Sequence, residues 1–359
     1  MYSPFRHISS IFWKKRPIHL TFFLTRRCNA RCPFCFYLKT DTNSVAQNTE
    51  LSLDEIEKIS GSMDSLLWLA FSGGEIYLRE DLAEISRIFY RNNRPAIMLF
   101  PTNGLLPEVI KSRTEQILRQ CPDSIIAVKL SMDGLSHEHD ALRNTPGSFE
   151  KTMTTYHLLK GLLNKYPNFE LGINTVFCSE NQDKMDEIID FANSLEGIKT
   201  HTISLIRGNL SDSSFKNIDY RKYSNAIERL EKNLKASLSS IYRFKGAKIK
   251  AAQDILQRRL ISQTMLDKKR LIPCFAGRLN LVLSENGDVY PCEILTETFG
   301  NVRDHDYNLG KVVQTDNAKK IIDSIMNKKC YCTHECYFIT NILFNPGLYP
   351  SLAREYVQL

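Results

Sequence analysis

Along the first two hundred residues, short apolar runs alternate with stretches of helical period. "IHLTFFL" (18–24), "LLWLAFS" (66–72), "AIMLF" (96–100), "IIAVKLS" (125–131), "LGINTVF" (171–177) and "HTISLI" (201–206) are nearly continuous in apolar residues. That is the pattern of strands covered on both faces. Between them, "LDEIEKISGSM" (53–63), "EDLAEISRIFYRN" (80–92) and "FEKTMTTYHLLKGLLNK" (149–165) carry amphipathic helical patterns. Asp54, Asp81, Asp186 and Glu187 stand near the expected helix starts, where the macrodipole favours negative charge. Six strand-then-helix units predict a parallel sheet with right-handed crossovers. Residues 216–270 are mostly helical in pattern, and "CFAGRLNLVLSENGDVYPC" (274–292) alternates like a hairpin around an "NGD" turn.

In parallel sheets of this kind, chemistry gathers where loops leave the carboxyl ends of the strands. Four distinctive segments fall there. "CNARCPFC" (28–35) follows the first strand, "SGGE" (72–75) ends the second, "TNG" (102–104) follows the third and "SMDG" (131–134) ends the fourth.

The 359 residues, 43% hydrophobic and 24% charged, suit one large globular domain with a smaller one beside it. No apolar run approaches the ~20 residues that span a bilayer, and "MYSPFRHISSIFWKKRP" has no h-region, so a cytoplasmic setting is expected. In that compartment ten cysteines are not mainly disulfides. Their grouping, Cys28, Cys32 and Cys35 in front and Cys274, Cys292, Cys330, Cys332 and Cys336 behind, argues for metal. Cys121 reads as structural. Cys178, after the fifth strand, reads either as buried packing or as a hydrogen-atom donor facing a cavity, while His137 and His139 read as surface loop residues.

The net charge of +7 is local: residues 216–270 hold 15 Lys/Arg against 5 Asp/Glu. This stretch is either a solvated helical face or a docking surface for an anionic partner such as an acidic peptide, carrier protein, lipid head group or nucleic acid. Phe5, Ile8, Phe12 and Trp13 fall near helical spacing ahead of Lys14, Lys15 and Arg16. They read as a flap over the strand N-termini, or as a short basic helix in peripheral contact with a membrane.

Thiolate sulfur is the standard ligand of iron–sulfur clusters, and a C-x3-C-x2-C loop can hold three of a cubane's four irons. A zinc site would want a fourth ligand close by, and no His or Cys follows before the second strand. With Phe34 before its last cysteine, the loop resembles the signature of the radical S-adenosylmethionine enzymes. The resemblance implies a [4Fe–4S] cluster on Cys28, Cys32 and Cys35 whose fourth iron takes the amino and carboxylate groups of S-adenosylmethionine. One electron, from a reductant such as flavodoxin or ferredoxin, then yields a 5′-deoxyadenosyl radical that abstracts a substrate hydrogen. "SGGE" resembles the family's GGE segment, so Gly73, Gly74 and Glu75 would hold the methionine amino group, although Ile76 stands where the family often has proline. Ser131 and Asp133 would meet the ribose or the methionine carboxylate. Asn103 and Asn174 would sit near the cofactor with Phe34. "ALRNTPGSFEKT" (141–152) resembles the peptide-modifying branch and offers Arg143 as a carboxylate contact.

The C-x12-G-x4-C spacing from Cys274 to Cys292 resembles the opening of a SPASM or twitch extension, which carries auxiliary clusters. Five rear thiols cannot fully ligate two cubanes, so one auxiliary [4Fe–4S] cluster is expected. Its ligands would be Cys274, Cys292 and Cys336 with Cys332 or, alternatively, Cys330; a zinc site including His334 is the competing reading. The resemblance thus predicts an α/β fold, a partial (β/α)6 radical SAM barrel over 18–215. Around it lie an N-terminal basic segment (1–17), a basic helical connector (216–270), an auxiliary-cluster domain (271–340) and a tail (341–359). It predicts an oxidoreductase or maturase acting on a peptide, or else on a lipid or small metabolite. A basic iron–sulfur or zinc protein binding nucleic acid is the non-enzymatic alternative, against which "SGGE" and "SMDG" weigh.

Overall fold

The computed structural model describes residues 1–38, 50–236, 242–244, 246–327 and 330–359. Six strands, β1 (His19–Thr25), β2 (Trp68–Gly73), β3 (Ile97–Thr102), β4 (Ile125–Ser131), β5 (Phe169–Phe177) and β6 (Thr200–Leu205), pair in parallel in chain order. The crossovers carry α1 (Leu53–Gly61), α2 (Leu82–Asn93), α3 (Pro107–Gln120), α4 (Ser136–Leu142), α5 (Ser148–Lys160) and α6 (Met185–Ser194). The expected (β/α)6 order is present, and α1 opens with the reciprocal bonds of Ser52 and Glu55 in a capping box.

The two faces of the sheet differ. Met98, Phe100, Ile126, Val128 and Leu130 are buried in the main core with Ile85, Phe89, Ile117 and Leu159 of the helices. The alternate residues, Leu99, Pro101, Ala127, Lys129, Gly172 and Asn174, line a chamber of about 240 Å³. The strands thus pack against the helices on one face and line the chamber on the other, where Ala70, Leu99 and Ala127 stand beside Lys129 and Asn174. The period of two shows plainly in β4, where Ala127, Lys129 and Ser131 are each half-buried between fully buried neighbours.

Beyond the barrel come α7 (Tyr220–Lys235), α8 (Ala247–Asp267), α9 (Leu309–Val313), α10 (Asp316–Asn327), α11 (Glu335–Leu343) and α12 (Tyr349–Gln358). Lys250, Asp254 and Gln257 of α8 and Cys336 and Ile339 of α11 close the chamber opposite the sheet. Within the basic connector, residues 237–241 and 245 lie outside the described residues. Elsewhere in it, Lys222 pairs with Asp183, Arg229 with Asp186 and Asp190, and Arg259 with Glu231 and Glu355. Part of its positive charge thus meets acidic side chains of the same chain.

The segment expected as a separate small domain adds its strands to the barrel sheet. β7 (Asn280–Leu283) pairs in parallel with β1, from His19 opposite Asn280 to Phe22 opposite Leu283. The predicted hairpin follows: β8 (Asp288–Tyr290) lies antiparallel to β7, and β9 (Gly300–Asn301) antiparallel to β8.

At the opposite edge of the strands, residues Pro4–Ile11 form a 3-10 helix. Arg6 donates to the carbonyls of Leu66 and Arg94, and His7 and Ser10 are buried, so this segment covers the strand N-termini as a flap. Its other side leaves Phe5, Ile8, Phe12 and Trp13 exposed. Among the described residues no helix is long and apolar enough to cross a membrane.

Candidate functional site

The cysteine loop leaves β1 and lies over the end of β2. Gly74 N–H donates to the Thr25 carbonyl (2.7 Å) and Glu75 N–H to that of Arg27 (2.9 Å). Gly73 has φ +117°, and a Cβ there would come within 2.5 Å of the Thr25 oxygen; one on Gly74 would overlap the Arg27 carbonyl. The glycine pair thus admits the backbone of the chain's own cysteine loop. Below it, buried Arg79 donates to the Leu24 and Leu51 carbonyls and pairs with Glu50 and Asp81. That anchor left no motif in the sequence.

Within the loop, Cys28 Sγ accepts from Ala30 N–H (3.4 Å) and lies 3.8 Å from Asn103 Nδ2, and Cys35 Sγ accepts from Leu38 N–H (3.3 Å). Such donors stabilise thiolates. Burial works the other way, raising the Cys28 thiol and pushing that of Cys32 up to about 11, so a metal must displace their protons. Three thiols in one short loop, two already receiving N–H donors, fit a cluster left open at one iron. Phe34 is buried beside Phe215, Leu142 and Ile206, where it pins the loop to the barrel.

Glu75 is 1% exposed. Its Oε1 accepts from Thr102 Oγ1 (2.9 Å) and Tyr77 N–H (3.2 Å), and its Oε2 from Asn103 N–H (2.8 Å). Burial outweighs these bonds and holds its pKa up at about 7. Asn103 Nδ2 reaches Asn29 Oδ1 (2.7 Å), so Glu75 and Asn103 together fix the cysteine loop against the exit of β3.

Asp133 differs from its expected role. Its Oδ2 accepts from Arg143 Nε (2.9 Å) and Nη2 (2.7 Å), and its Oδ1 from Val176 N–H (2.8 Å). The carboxylate is fully buried in this pair and is not presented to a ligand. Burial works against the Arg143 charge, but Asp133 and the Cys32 and Cys28 thiols outweigh it and hold the guanidinium above its usual range. Arg143 Nη1 lies outside the pair with Asp133. Ser131 ends β4 opposite Asn174, which accepts from Ser204 Oγ (3.3 Å) on the chamber wall. Two lone residues also land elsewhere than expected. Cys178 is fully buried beside Phe34, so it packs rather than facing the chamber. His139 is buried too, its Nδ1 accepting from Asp133 N–H (3.2 Å), and is no surface residue.

At the rear, Cys274, Cys292, Cys330 and Cys332 line one cavity of about 70 Å³, against the roughly 10–15 Å³ that holds one water. Cys336, which the spacing assigned to this group, lines the barrel chamber instead. The reason is local: Cys332 precedes the His334 N-cap, whereas Cys336 sits in the first turn of α11 and turns with the helix. Among the described residues no three His, Cys, Asp or Glu side chains converge as ligands of a single ion. Arg270, unremarked within the basic run, donates to Cys330 Sγ (2.7 Å) and to the Cys330 carbonyl (2.9 Å). The β7–β8 turn reaches the front loop. Its Glu285 accepts from Tyr37 OH in the front loop and receives Leu51 N–H (2.7 Å) on its carbonyl.

Comparison with known proteins finds two family matches in the chain. Residues 22–192 match the Radical SAM superfamily, and residues 274–337 match SPASM, an iron–sulfur cluster-binding domain. The AdoMet-dependent heme synthase of Methanosarcina barkeri is 27% identical over 296 residues, covering 79% of this chain and 79% of that protein. The antilisterial bacteriocin subtilosin biosynthesis protein AlbA of Bacillus subtilis is 27% identical over 292 residues, covering 80% of this chain and 57% of that protein. Among solved structures, Streptococcus suis SuiB bound to S-adenosylmethionine aligns with TM-score 0.60 at 17% identity, covering 86% of this chain and 68% of that one. This last likeness shows a shared fold.

Proposed function

This chain belongs to the radical SAM superfamily, and we propose that, as an enzyme of that superfamily, it oxidatively modifies a peptide. Its two domains imply [4Fe–4S] clusters and S-adenosylmethionine as cofactors. When bound, these supply one-electron abstraction of a substrate hydrogen. Cys28, Cys32 and Cys35 would hold the front cluster as thiolates, with Glu75 accepting from the amino group of S-adenosylmethionine and Arg143 Nη1 meeting a carboxylate. The Asp133–Arg143 pair orients that guanidinium. Flavodoxin or ferredoxin is the class of reductant the proposal requires.

The chamber carries the peptide reading. Its volume of about 240 Å³ is below the roughly 300–1,000 Å³ of pockets that enclose a whole drug-sized ligand. It suits one side chain of a longer substrate better than an entire tetrapyrrole. Lys129, Glu170, Arg207 and Asp254 on its lining suit a polar chain. His334 lines both this chamber and the rear thiol cavity, which supports an oxidative outcome because it sets an electron-carrying group beside the substrate. The test offers the reconstituted, reduced enzyme a short peptide encoded beside its gene and, separately, an iron coproporphyrin. Mass spectrometry is expected to show loss of two hydrogens from the peptide and no change in the porphyrin. Conversion of the porphyrin alone would sink the proposal.

Glu75 gives a prediction in pH. To accept from an amino group it must be ionised, and burial holds its pKa at about 7. Affinity for S-adenosylmethionine is therefore full above that value and falls as pH drops through it, by up to about tenfold per pH unit. Anaerobic binding titrations of the cluster-loaded protein across that range check this. A flat profile would remove Glu75 from the proposed role.

A further inference from the structure

The rear of the chain has five thiols, one more than a fully ligated cubane takes. On the reading that this region carries an auxiliary cluster, we propose that its four ligands are Cys274, Cys292, Cys330 and Cys332, and that Cys336 is a thiol of the substrate chamber.

The cavity geometry separates the five. The four proposed ligands surround one space large enough for an inorganic group, and Cys336 is absent from its lining. Donors follow the same division. Cys292 Sγ accepts from Leu295 N–H (3.4 Å), and the backbone N–H groups of Ala276 and His334 serve Cys274 and Cys332. Cys330 has the Arg270 guanidinium on its sulfur, a fixed positive charge placed where a thiolate would need one. All four have the N–H donors that cluster thiolates use.

Cys336 has different surroundings. Glu293, Arg207, Glu335 and Lys250 line the chamber with it. Glu293 pairs there with His334 (2.6 Å) and Arg207 (3.7 Å). The chamber it lines also contains Glu170, 6% exposed, whose Oε2 has no hydrogen-bond partner among the described residues. A thiol outside the rear cavity and an unpartnered buried carboxylate oxygen thus lie along one chamber, both available to a polar substrate.

Iron content after anaerobic reconstitution tests the ligand set. Wild-type protein and Cys336→Ala are both expected to hold about eight irons per chain, and Cys330→Ala and Cys332→Ala about four. About eight in wild type with about four in Cys336→Ala would overturn the ligand set alone. About four in wild type would overturn the two-cluster reading and this inference with it. Should an alanine variant fail to fold, Cys336→Val and Cys330→Val, which keep more of the side-chain volume, decide by the same iron measurement. About eight irons in Cys336→Val with about four in Cys330→Val is expected, and the reverse pattern would overturn the assignment.

Discussion

Replacing Cys28, Cys32 and Cys35 together with alanine is expected to abolish formation of 5′-deoxyadenosine while lowering iron from about eight to about four per chain. The two effects should come apart from folding. All three cysteines lie in a loop outside the main core, and the sheet beneath them is held by Leu20, Phe22 and Leu24 packed against Phe71 and Phe89. Their removal deletes no strand and no buried ion pair. The rear thiols line a separate cavity and should keep their iron. Iron analysis, far-ultraviolet circular dichroism and chromatography of the nucleoside products after anaerobic reduction check all three parts. Cleavage of S-adenosylmethionine by the triple variant would refute the assignment of the front loop, whatever its iron content.

The strands were legible because burial leaves a local mark: all six lie where apolar runs stand, with ends shifted by at most a few residues. The inner face of the barrel was also visible in principle, since Ala127, Lys129 and Ser131 alternate with Ile126, Val128 and Leu130. The density of apolar residues in the run hid it. What no local pattern discloses is the partner chosen across a long stretch of chain. β7 reads as half of a hairpin, and nothing in it announces that its other edge lies parallel to β1, more than 250 residues earlier. The same limit applies at the site. "SMDG" marks Asp133 correctly as special, but only the fold shows that Arg143 occupies its carboxylate. The spacing of Cys332 and Cys336 says nothing of the helix start that falls between them and sets them on different cavity walls.

The glycine pair of "SGGE" leads to the other large effect. Gly74→Ala is expected to reduce 5′-deoxyadenosine formation by at least about 100-fold, with the fold retained. A Cβ at this position meets the Arg27 carbonyl; the Cβ is fixed by the backbone and the Arg27 oxygen is main-chain, so no side-chain rotation can relieve the overlap. The hydrogen bonds from Gly74 to Thr25 (2.7 Å) and from Glu75 to Arg27 (2.9 Å) hold the two segments together from either side. Relief therefore requires the cysteine loop to move away from β2 by about 1 Å, whereas reacting groups must be held within about 0.5 Å of their working geometry. Arg27 immediately precedes Cys28, so the shift passes directly to the first thiol. Gly61→Ala is the control. A Cβ there meets nothing within 4 Å, and alanine in place of a helical glycine is neutral or stabilising by up to about 1 kcal/mol. Activity in Gly74→Ala within about threefold of wild type would show that the loop tolerates the displacement and that its seat on β2 does not set the cluster's geometry.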